Sequence, residues 1–450
     1  MRLARVVIAA PSSGSGKTTV ATGLAAALAA RGERVAACKI GPDYIDPGYH
    51  ALATGMPGRN LDPVLVGEHR IGPLLAHGAA GADVAVIEGV MGLFDGRAGT
   101  AGLGSTAHVA RLTASPVVLV VDARGQGYSL AALLHGFRSF DATVRLAGVV
   151  LNRVGSPRHV EMLTEAAADA GLPVLGAMPR EPALIVPSRH LGLVTAAERA
   201  SEAVAAVAAM RDVVAAHVDL DALRDIAAAA APLAETAWDP ETEVSPVGGR
   251  PVVAVAGGKV FSFGYREHVE LLRAAGAKVV TLDPLTDEAL PERTAGLVLP
   301  GGFPEVHAEE LASNVTLRSA IARFARHGGP IHAECGGLLY LSRELDGEPM
   351  CGVLDARGST SDRLTLGYRD AVAASESPLH EAGSRLTGHE FHRTTIEPGC
   401  RVRAAWHWRG SDGAPVSEGF VHHRVHASYL HTHPAGNPAA IGRFLKACAA

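Results

Sequence analysis

The stretch RVVIAAPSSGSGKTT, residues 5–19, decides the fold of the first half of the chain. It opens with a β-branched apolar run, Arg5–Ala10, which predicts a buried strand, and a helical pattern follows from Lys17 to Ala30. The segment 12–19, SSGSGKTT, joins the two. Backbone N–H groups and the helix dipole favour a phosphate at such a junction. The stretch therefore predicts a phosphate-binding α/β domain.

Three residue types in this loop suit a nucleotide. Gly14 and Gly16 allow close backbone approach, Lys17 would reach the β- and γ-phosphates, and the Thr18 hydroxyl would face Mg²⁺. Pro11 stands where the strict P-loop pattern has its first glycine. In this departure the loop resembles the dethiobiotin-synthetase-like group rather than ordinary P-loop kinases.

Further apolar runs predict the rest of a parallel sheet that is covered on both faces. The predicted strands are Val84–Glu88, Pro116–Asp122 and Leu146–Asn152. Glu88 ends the first of them, and ligands bind at the carboxyl ends of strands in open parallel sheets. A carboxylate there would complete an Mg²⁺ shell opposite the phosphate loop. A purely structural Glu88 is the alternative, although a buried glutamate is rare without a partner.

The chain then divides into two predicted domains. We expect a synthetase domain over 1–235, ending in alanine-rich helices from about residue 196, and a linker over 236–250 that is rich in Pro, Gly and acidic residues. A second α/β domain follows over 251–450. Its predicted elements are a helix at Tyr265–Ala275 and strands at Pro251–Ala256, Lys278–Leu282, Gly296–Pro300 and Pro330–Glu334.

A cysteine follows the last of these strands, in AECGG at 333–337, just before a helix start. A nucleophile at such a turn is exposed, and the helix N-terminus is expected to lower the thiol pKa. The alternative is that Cys335 is a small buried hydrophobe. PGGF at 300–303 follows another strand, so the N–H groups of Gly302 and Gly336 are candidates for an oxyanion hole.

The general base that a thiol requires is sought among the many C-terminal histidines. His431, in ASYLHTH at 427–433, is the best candidate, and His433 competes with it. A histidine metal site is the other interpretation of this region, but no metal-ligand spacing stands out.

Composition excludes several classes of protein. The 450 residues carry a net charge of −5, which disfavours a nucleic-acid partner, and 48% are hydrophobic, as in a globular chain. No apolar run approaches a membrane span, and the apolar N-terminal run ends at Pro11, too early for a signal peptide. Five scattered cysteines fit a reducing compartment, so we expect a cytoplasmic protein.

Five motifs in this order resemble the cobyrinic and hydrogenobyrinic acid a,c-diamide synthase family over nearly the whole chain. They are KIGPDYIDPGYH (39–50), EGVMGLFDG (88–96), AECGGLLYL (333–341), GHEFHRT (388–394) and ASYLHTH. The resemblance implies a dethiobiotin-synthetase-like P-loop domain and a flavodoxin-like class I glutamine amidotransferase domain of the cobyric-acid-synthase type. It also implies an ATP- and glutamine-dependent ligase that amidates the a and c carboxylates of a corrinoid.

The resemblance also implies roles for individual residues. ATP would be bound by Ser13, Gly14, Ser15, Gly16, Lys17, Thr18 and Thr19. Mg²⁺ would be held by Thr18, Asp46 and Glu88, with Asp43 nearby, and the corrinoid carboxylates handled by Tyr44, Ile45 and Asp95. Cys335 matches the nucleophile and His431 its activating histidine. Many class I amidotransferases carry H-x-E, but here the third residue is His433, which leaves the group that orients the base open.

Three other functions are alternatives to this one. They are a cobyric acid synthase or another carboxylate amidotransferase, a nonenzymatic nucleotide-dependent partitioning protein, and a cysteine hydrolase with an appended ATPase. A homodimer is plausible, while the cobalt content of the corrinoid and the order of the two amidations stay open.

Overall fold

The computed structural model describes residues 2–180, 188–189, 192–193, 195, 197–198, 200–400 and 403–450. The chain divides into two compact units, Met1–Trp238 and Asp239–Ala450. Of the helices in these described ranges, none combines the length and the apolar character that a membrane crossing requires. The five cysteines are free thiols.

The first unit alternates strands and helices. Its strands are β1 (Ala4–Ala9), β2 (Val35–Ile40), β3 (Arg59–Leu61), β4 (Val84–Glu88), β5 (Val117–Asp122), β6 (Leu146–Val154), β7 (Val174–Pro179), β8 (Ser188–Arg189) and β9 (Gly192–Leu193). Its helices are α1 (Lys17–Ala30), α2 (Asp46–Thr54), α3 (Pro63–Val66), α4 (Ile71–Gly78), α5 (Thr106–Leu112), α6 (Leu130–Phe140), α7 (Pro157–Asp169), α8 (Ala200–His217) and α9 (Leu220–Ala228). The predicted alanine-rich helices are α8 and α9; positions 196 and 199 lie outside the described residues.

Seven strands of this unit form one parallel sheet, in the order β3-β2-β4-β1-β5-β6-β7. The central strand β1 is buried on both faces, as a parallel strand covered by helices should be, and Arg5 is its one charged residue. Ile8 pairs with Glu88 on one side and Val118 on the other. This register brings the phosphate loop, the segment after β2 and Glu88 to the same edge of the sheet.

The second unit contains more strand than the first. Its strands are β10 (Val252–Ala256), β11 (Lys278–Leu282), β12 (Thr294–Leu299), β13 (Ile331–Glu334), β14 (Glu344–Leu345), β15 (Glu348–Pro349), β16 (Ala356–Ala373), β17 (Arg385–Pro398), β18 (Trp406–Arg409), β19 (Pro415–Glu418), β20 (Phe420–His422) and β21 (Val425–Ser428). Its helices are α10 (Pro240–Glu243), α11 (Arg266–Ala274), α12 (Ala308–Ser313), α13 (Val315–Arg326), α14 (Gly336–Leu341) and α15 (Pro438–Ala449).

One sheet of the second unit has the order β11-β10-β12-β13-β21-β20 and is parallel except for β20. Strand β13 lies between β12 and β21, with Glu334 opposite Ser428. The segments that follow β12, β13 and β21 therefore meet at one edge. The predicted fold class, two α/β domains with parallel sheets, is confirmed.

A second sheet, which the sequence analysis did not predict, is built on the long antiparallel hairpin β16–β17. Strand β14, which pairs with β15, lies beside one end of β16, and β18, which pairs with β19, lies beside its other end. Backbone N–H groups of His389 and His431 each donate to the other's carbonyl at 2.9 Å, so β17 is joined to the segment after β21.

Candidate active sites

The phosphate loop runs from the end of β1 to the start of α1, and its shape depends on two glycines. Gly14 and Gly16 have φ values of 78° and 101°, in the left-handed region that glycine tolerates best. A Cβ on Gly16 would stand 2.2 Å from Nδ2 of Asn152, which donates to the Ser15 carbonyl at 2.9 Å. The loop is thus closed against β6, and the first turn of α1 offers its N–H groups to an anion.

The remaining predicted nucleotide-binding side chains lie around this turn. Ser13 is exposed, and Thr18 and Thr19 are half-buried. Lys17 is buried, and its ammonium donates to the carbonyls of Met91 at 2.6 Å and Ser12 at 3.5 Å. Burial, and secondarily the nearby Lys39, lower the pKa of Lys17 to about 8. A phosphate oxygen is a stronger partner for this ammonium than two carbonyls, because it carries charge.

Glu88 is fully buried at the end of β4, and its carboxylate contacts three side chains. Its Oε1 lies 2.5 Å from the Thr18 hydroxyl and 2.8 Å from Nζ of Lys39, and its Oε2 lies 2.8 Å from Nε2 of His50. Nζ of Lys39 is also 2.6 Å from Oδ2 of Asp46. The structure therefore brings Thr18, Asp46 and Glu88 together around one buried ammonium.

The charged groups in this cluster shift one another's pKa values strongly. Burial, together with Asp43 and Glu88, holds the pKa of Asp46 well above its usual range. Burial would also raise the pKa of Glu88, but Lys39 and His50 hold it well below the usual value. Burial would lower the pKa of Lys39, yet Asp46 and Glu88 raise it above the usual range. Three carboxyl groups, those of Asp43, Asp46 and Glu88, thus repel one another here, and a proton or a cation reduces that repulsion.

The oxygen atoms of Thr18, Asp46 and Glu88 suit Mg²⁺, which prefers hard oxygen ligands. Across the described ranges, no three His, Cys, Asp or Glu side chains form a site that could hold a metal ion. Mg²⁺ at a nucleotide site is commonly held by one or two protein groups, while nucleotide phosphates and water complete its shell. Glu88 and Thr18, already in contact, fit that part best.

Asp43 stabilises the start of α2. Its Oδ1 accepts hydrogen bonds from the backbone N–H groups of Ile45 at 2.8 Å and Asp46 at 2.9 Å. Of the predicted corrinoid residues, Tyr44 is half-buried and the Ile45 side chain is buried. Asp95 is exposed, and its Oδ2 accepts from the Gly92 N–H at 2.8 Å, which closes the turn after Glu88.

An ion-pair group beside the phosphate loop was not found from the sequence. Asp122, at the end of β5, pairs with Arg124 at 2.7 Å and with Arg153 at 2.6 Å, and Arg153 also donates to the Gly14 carbonyl at 2.9 Å. The two arginines offset the effect of burial and lower the pKa of Asp122 to about 2. Asp122 and Arg124 line a cleft of about 660 Å³ that also contacts Ser12 and Ser15. The signal in the sequence was the position of Asp122 at a strand's carboxyl end.

In the second unit, Cys335 forms the sharp turn between β13 and α14. Its φ is 48°, a left-handed value that is uncommon for a residue with a side chain, and its N–H donates to the Ser428 carbonyl at 2.7 Å. A Cβ on Gly337 would stand 2.1 Å from the Leu299 carbonyl oxygen, so the turn requires glycine there. This is the strand–turn–helix geometry of a nucleophile elbow.

The expectation of an exposed, low-pKa thiol is wrong. Cys335 is only 3% exposed, and burial, followed by Glu305, raises its pKa well above the usual range, against the opposing Gly336 N–H. Helix α14 has six residues, too short to offset the desolvation of a thiolate. Cys335 is thus a protonated thiol that requires a base.

Gly302 and Gly336 lie close together, as an oxyanion hole requires. A Cβ on Gly336 would stand 3.0 Å from the Gly302 nitrogen, and a Cβ on Gly302 would stand 1.7 Å from the Val260 carbonyl oxygen. A side chain is therefore excluded at Gly302 and crowded against the backbone at Gly336. The two backbone N–H groups lie beside the sulfur-bearing turn, where a developing oxyanion would be stabilised.

His431 follows β21, the strand next to the one that carries Cys335. Its ring is buried and packs on Gly301, where a Cβ would stand 2.4 Å from Cε1. The competing His433 has a structural part, since its Nδ1 accepts from the Ala435 N–H at 3.2 Å and its ring stacks on Tyr265 at 4.1 Å. His431 stays the predicted base, and His433 the competing candidate.

Comparison with known proteins agrees with these features. Residues 6–194 match the CobQ/CobB/MinD/ParA nucleotide binding domain, and residues 252–439 match the CobB/CobQ-like glutamine amidotransferase domain. The chain is 58% identical to a hydrogenobyrinate a,c-diamide synthase of Mycobacterium tuberculosis, over 99% of this chain and 98% of that protein. It is 56% identical to the protein of that name in Streptomyces coelicolor, over 99% and 97%.

A cobyrinate a,c-diamide synthase of Gloeobacter violaceus is 44% identical, over 99% of this chain and 97% of that protein. These matches extend across both units, and the family resemblance inferred from the five motifs is confirmed. The chain therefore belongs to the family of hydrogenobyrinate and cobyrinate a,c-diamide synthases.

Proposed function

We propose that the protein is an ATP- and glutamine-dependent ligase that amidates the a and c carboxylates of hydrogenobyrinate or cobyrinate. One observation carries the proposal. The same chain holds a phosphate loop joined through Thr18 to the buried Glu88, and a Cys335 elbow whose neighbouring strand leads to His431. The first arrangement suits phosphoryl transfer and the second suits release of ammonia from an amide.

In the first unit, the substrate must be activated, because a carboxylate resists attack by ammonia. A carboxylate oxygen attacks the γ-phosphorus of ATP, ADP leaves, and an acyl phosphate forms. Lys17 would exchange its carbonyl contacts for phosphate oxygens and neutralise charge there. Mg²⁺, when bound by Thr18 and Glu88, would supply further charge neutralisation. Ammonia then attacks the acyl carbon, and inorganic phosphate leaves.

In the second unit, His431 would take the proton of the Cys335 thiol, and the sulfur would attack the side-chain amide carbon of glutamine. The N–H groups of Gly302 and Gly336 would bind the resulting oxyanion. His431 returns the proton to the leaving ammonia and a γ-glutamyl thioester remains. Water, activated by the same imidazole, releases glutamate and restores the thiol.

The cobalt-free substrate, hydrogenobyrinate, is the better-supported candidate. Relatives with that name are 53–58% identical to the chain, whereas those named cobyrinate a,c-diamide synthase are 39–44% identical. Asp95, exposed in the turn after Glu88, could accept a hydrogen bond from a protonated group of the substrate, and the half-buried Tyr44 is the other polar candidate.

The domain boundaries are part of the proposal. A synthetase domain over 1–235, a linker over 236–250 and an amidotransferase domain over 251–450 are supported by the division of the chain between Trp238 and Asp239. Five free cysteines support a reducing, cytoplasmic setting. A homodimer stays a prediction from the sequence.

The test is mass spectrometry of products formed from hydrogenobyrinic acid, cobyrinic acid and their a,c-diamides, each with ATP, Mg²⁺ and glutamine. We expect doubly amidated product and ADP from the acids, with hydrogenobyrinic acid preferred, and no reaction of the diamides. Consumption of an a,c-diamide would instead indicate a cobyric acid synthase. No product from either acid would refute the proposal.

A further inference from the structure

The residue before the nucleophile, Glu334, has a buried carboxylate that the reaction described above does not use. Its side chain is 12% exposed. Oε2 lies 3.5 Å from Nδ1 of His431, and Oε1 accepts from the Thr432 N–H at 3.2 Å and the Thr432 hydroxyl at 3.1 Å. On its other side, Oε1 lies 3.3 Å from Nε2 of His332. The carboxylate is therefore held from two sides, by His332 on one and by Thr432 and His431 on the other.

The sheet explains why this carboxylate reaches the base. Glu334 is the last residue of β13 and pairs with Ser428, the last residue of β21. Three residues further along, His431 is fixed by its two backbone hydrogen bonds to His389. The end of β13 thus places the nucleophile Cys335 next to Glu334, whose carboxylate contacts the imidazole of His431.

We propose that Glu334 is the positioning residue of His431, in place of the H-x-E glutamate, whose position two residues after His431 is taken here by His433. Its carboxylate accepts the Nδ1–H of His431, which leaves Nε2 as the atom that exchanges a proton with Cys335. The inference rests on the proposed glutaminase reaction. A 3.5 Å separation is at the long end for a hydrogen bond, and such contacts tighten when substrate binds.

Charge supports the assignment. Burial would raise the pKa of Glu334, but its contacts with His332 and His431 hold it well below the usual value, so the carboxylate is ionised. From β17, His389 faces the His431 ring at 5.2 Å; burial, then His431, keeps its pKa well below the usual range, so it is neutral. Glu334 is thus a negative charge placed to stabilise His431 when it becomes an imidazolium.

The test compares Glu334→Gln with Glu418→Gln, a matched change at another buried carboxylate of the same unit. Glu418 accepts from the Ser428 hydroxyl at 2.6 Å and the Tyr429 N–H at 2.8 Å, on the next segment of backbone. We expect E334Q to lower kcat for glutamine hydrolysis about 100-fold or more, with an unchanged KM, because an amide there favours the wrong imidazole tautomer. E418Q should stay within a few-fold of the unchanged protein.

Three further readouts separate positioning from mere structural support. Synthesis from ammonium, a reaction of the first unit, should be unchanged in E334Q, and the unchanged KM for glutamine shows that the second unit is folded. The acidic limb of the glutaminase pH profile should move to lower pH, since the imidazolium loses its counter-charge. Glu334→Asp, which keeps the charge, should retain more activity than E334Q. Thr432→Val, which removes one contact of the carboxylate but not its charge, should have little effect.

The inference is overturned if E334Q hydrolyses glutamine within about three-fold of the unchanged protein, if E418Q or T432V is equally impaired, or if E334D is no better than E334Q. It is also overturned if the pH profile of E334Q does not move. Failure of the proposed function looks different, since the unchanged protein would then show no Cys335-dependent glutaminase at all.

Discussion

Replacing Glu88 by glutamine tests the electrostatic centre of the first unit. The change keeps the size of the side chain and removes one charge from a site where Lys39, Thr18 and His50 all lie within 2.8 Å of the carboxylate. Breaking a buried ion pair costs about 3–5 kcal/mol. Lys39 keeps Asp46 as a partner at 2.6 Å, so we expect the lower end of that range.

The assay is denaturant unfolding, followed by hydrogen exchange in the strands of the first unit so that the two units are resolved. Glu33→Gln is the control, since Glu33 pairs with Arg224 at 2.7 Å in a half-buried surface contact. Such pairs contribute about 0–1 kcal/mol. E88Q should also lose synthesis from both glutamine and ammonium while it keeps glutaminase activity. A stability loss no larger than that of the control, together with normal synthesis, would refute the reasoning.

The remaining predictions concern the nucleophile, the phosphate loop and one buried carboxyl group. Cys335→Ser should abolish glutamine-dependent synthesis and spare synthesis from ammonium, whereas Cys400→Ser, at an exposed thiol, should change neither. Because Cys335 is buried and protonated, iodoacetamide should label Cys400 first when peptides are followed by mass spectrometry. Lys17→Ala should remove both modes of synthesis and leave glutamine hydrolysis intact. Burial raises the pKa of Glu418 to about 7, so the second unit should lose about 2.5 kcal/mol of unfolding free energy between pH 5 and pH 8, and E418Q should lack this loss.

The sign of the last effect follows from proton counts. Between the ordinary carboxyl pKa and about 7, the folded protein keeps a proton on Glu418 that the unfolded chain has released. The folded state binds more protons in that window, so stability falls as pH rises through it. Stability that rises with pH in this window, or an identical slope in E418Q, would contradict the assignment. Equal loss of ammonium-dependent synthesis in the Cys335 variant would contradict separate sites.

The elements that follow from the local spacing of apolar residues were predicted from the sequence. The helix Lys17–Ala30 and the strand Val84–Glu88 have the predicted bounds, because a strand buried on both faces reads as an unbroken apolar run. The hairpin β16–β17 was missed. Much of β16 is exposed, and its polar residues carry no clear period, so no strand pattern stands out although its partner β17 is the next strand along the chain.

In the candidate sites, too, contacts between residues distant in sequence and the depth of burial were not predicted. The motif from Lys39 to His50 was recognised, but a sequence does not show that the Lys39 ammonium lies between Asp46 and Glu88, because Glu88 is 49 residues away. The pKa of Cys335 was predicted in the wrong direction, since a helix start is visible in a sequence and the depth of burial is not. Glu334 was part of a recognised motif, yet its contact with His431 depends on strand pairing.

The pairing of β13 with β21 has a consequence for how the second site tolerates substitution. Four residue pairs, from Ile331 with Val425 to Glu334 with Ser428, hold the two strands in register. Cys335 and His431 both lie just beyond these paired strand ends. A change that shifted the register by one residue would therefore displace nucleophile and base at once, even though it altered neither of them.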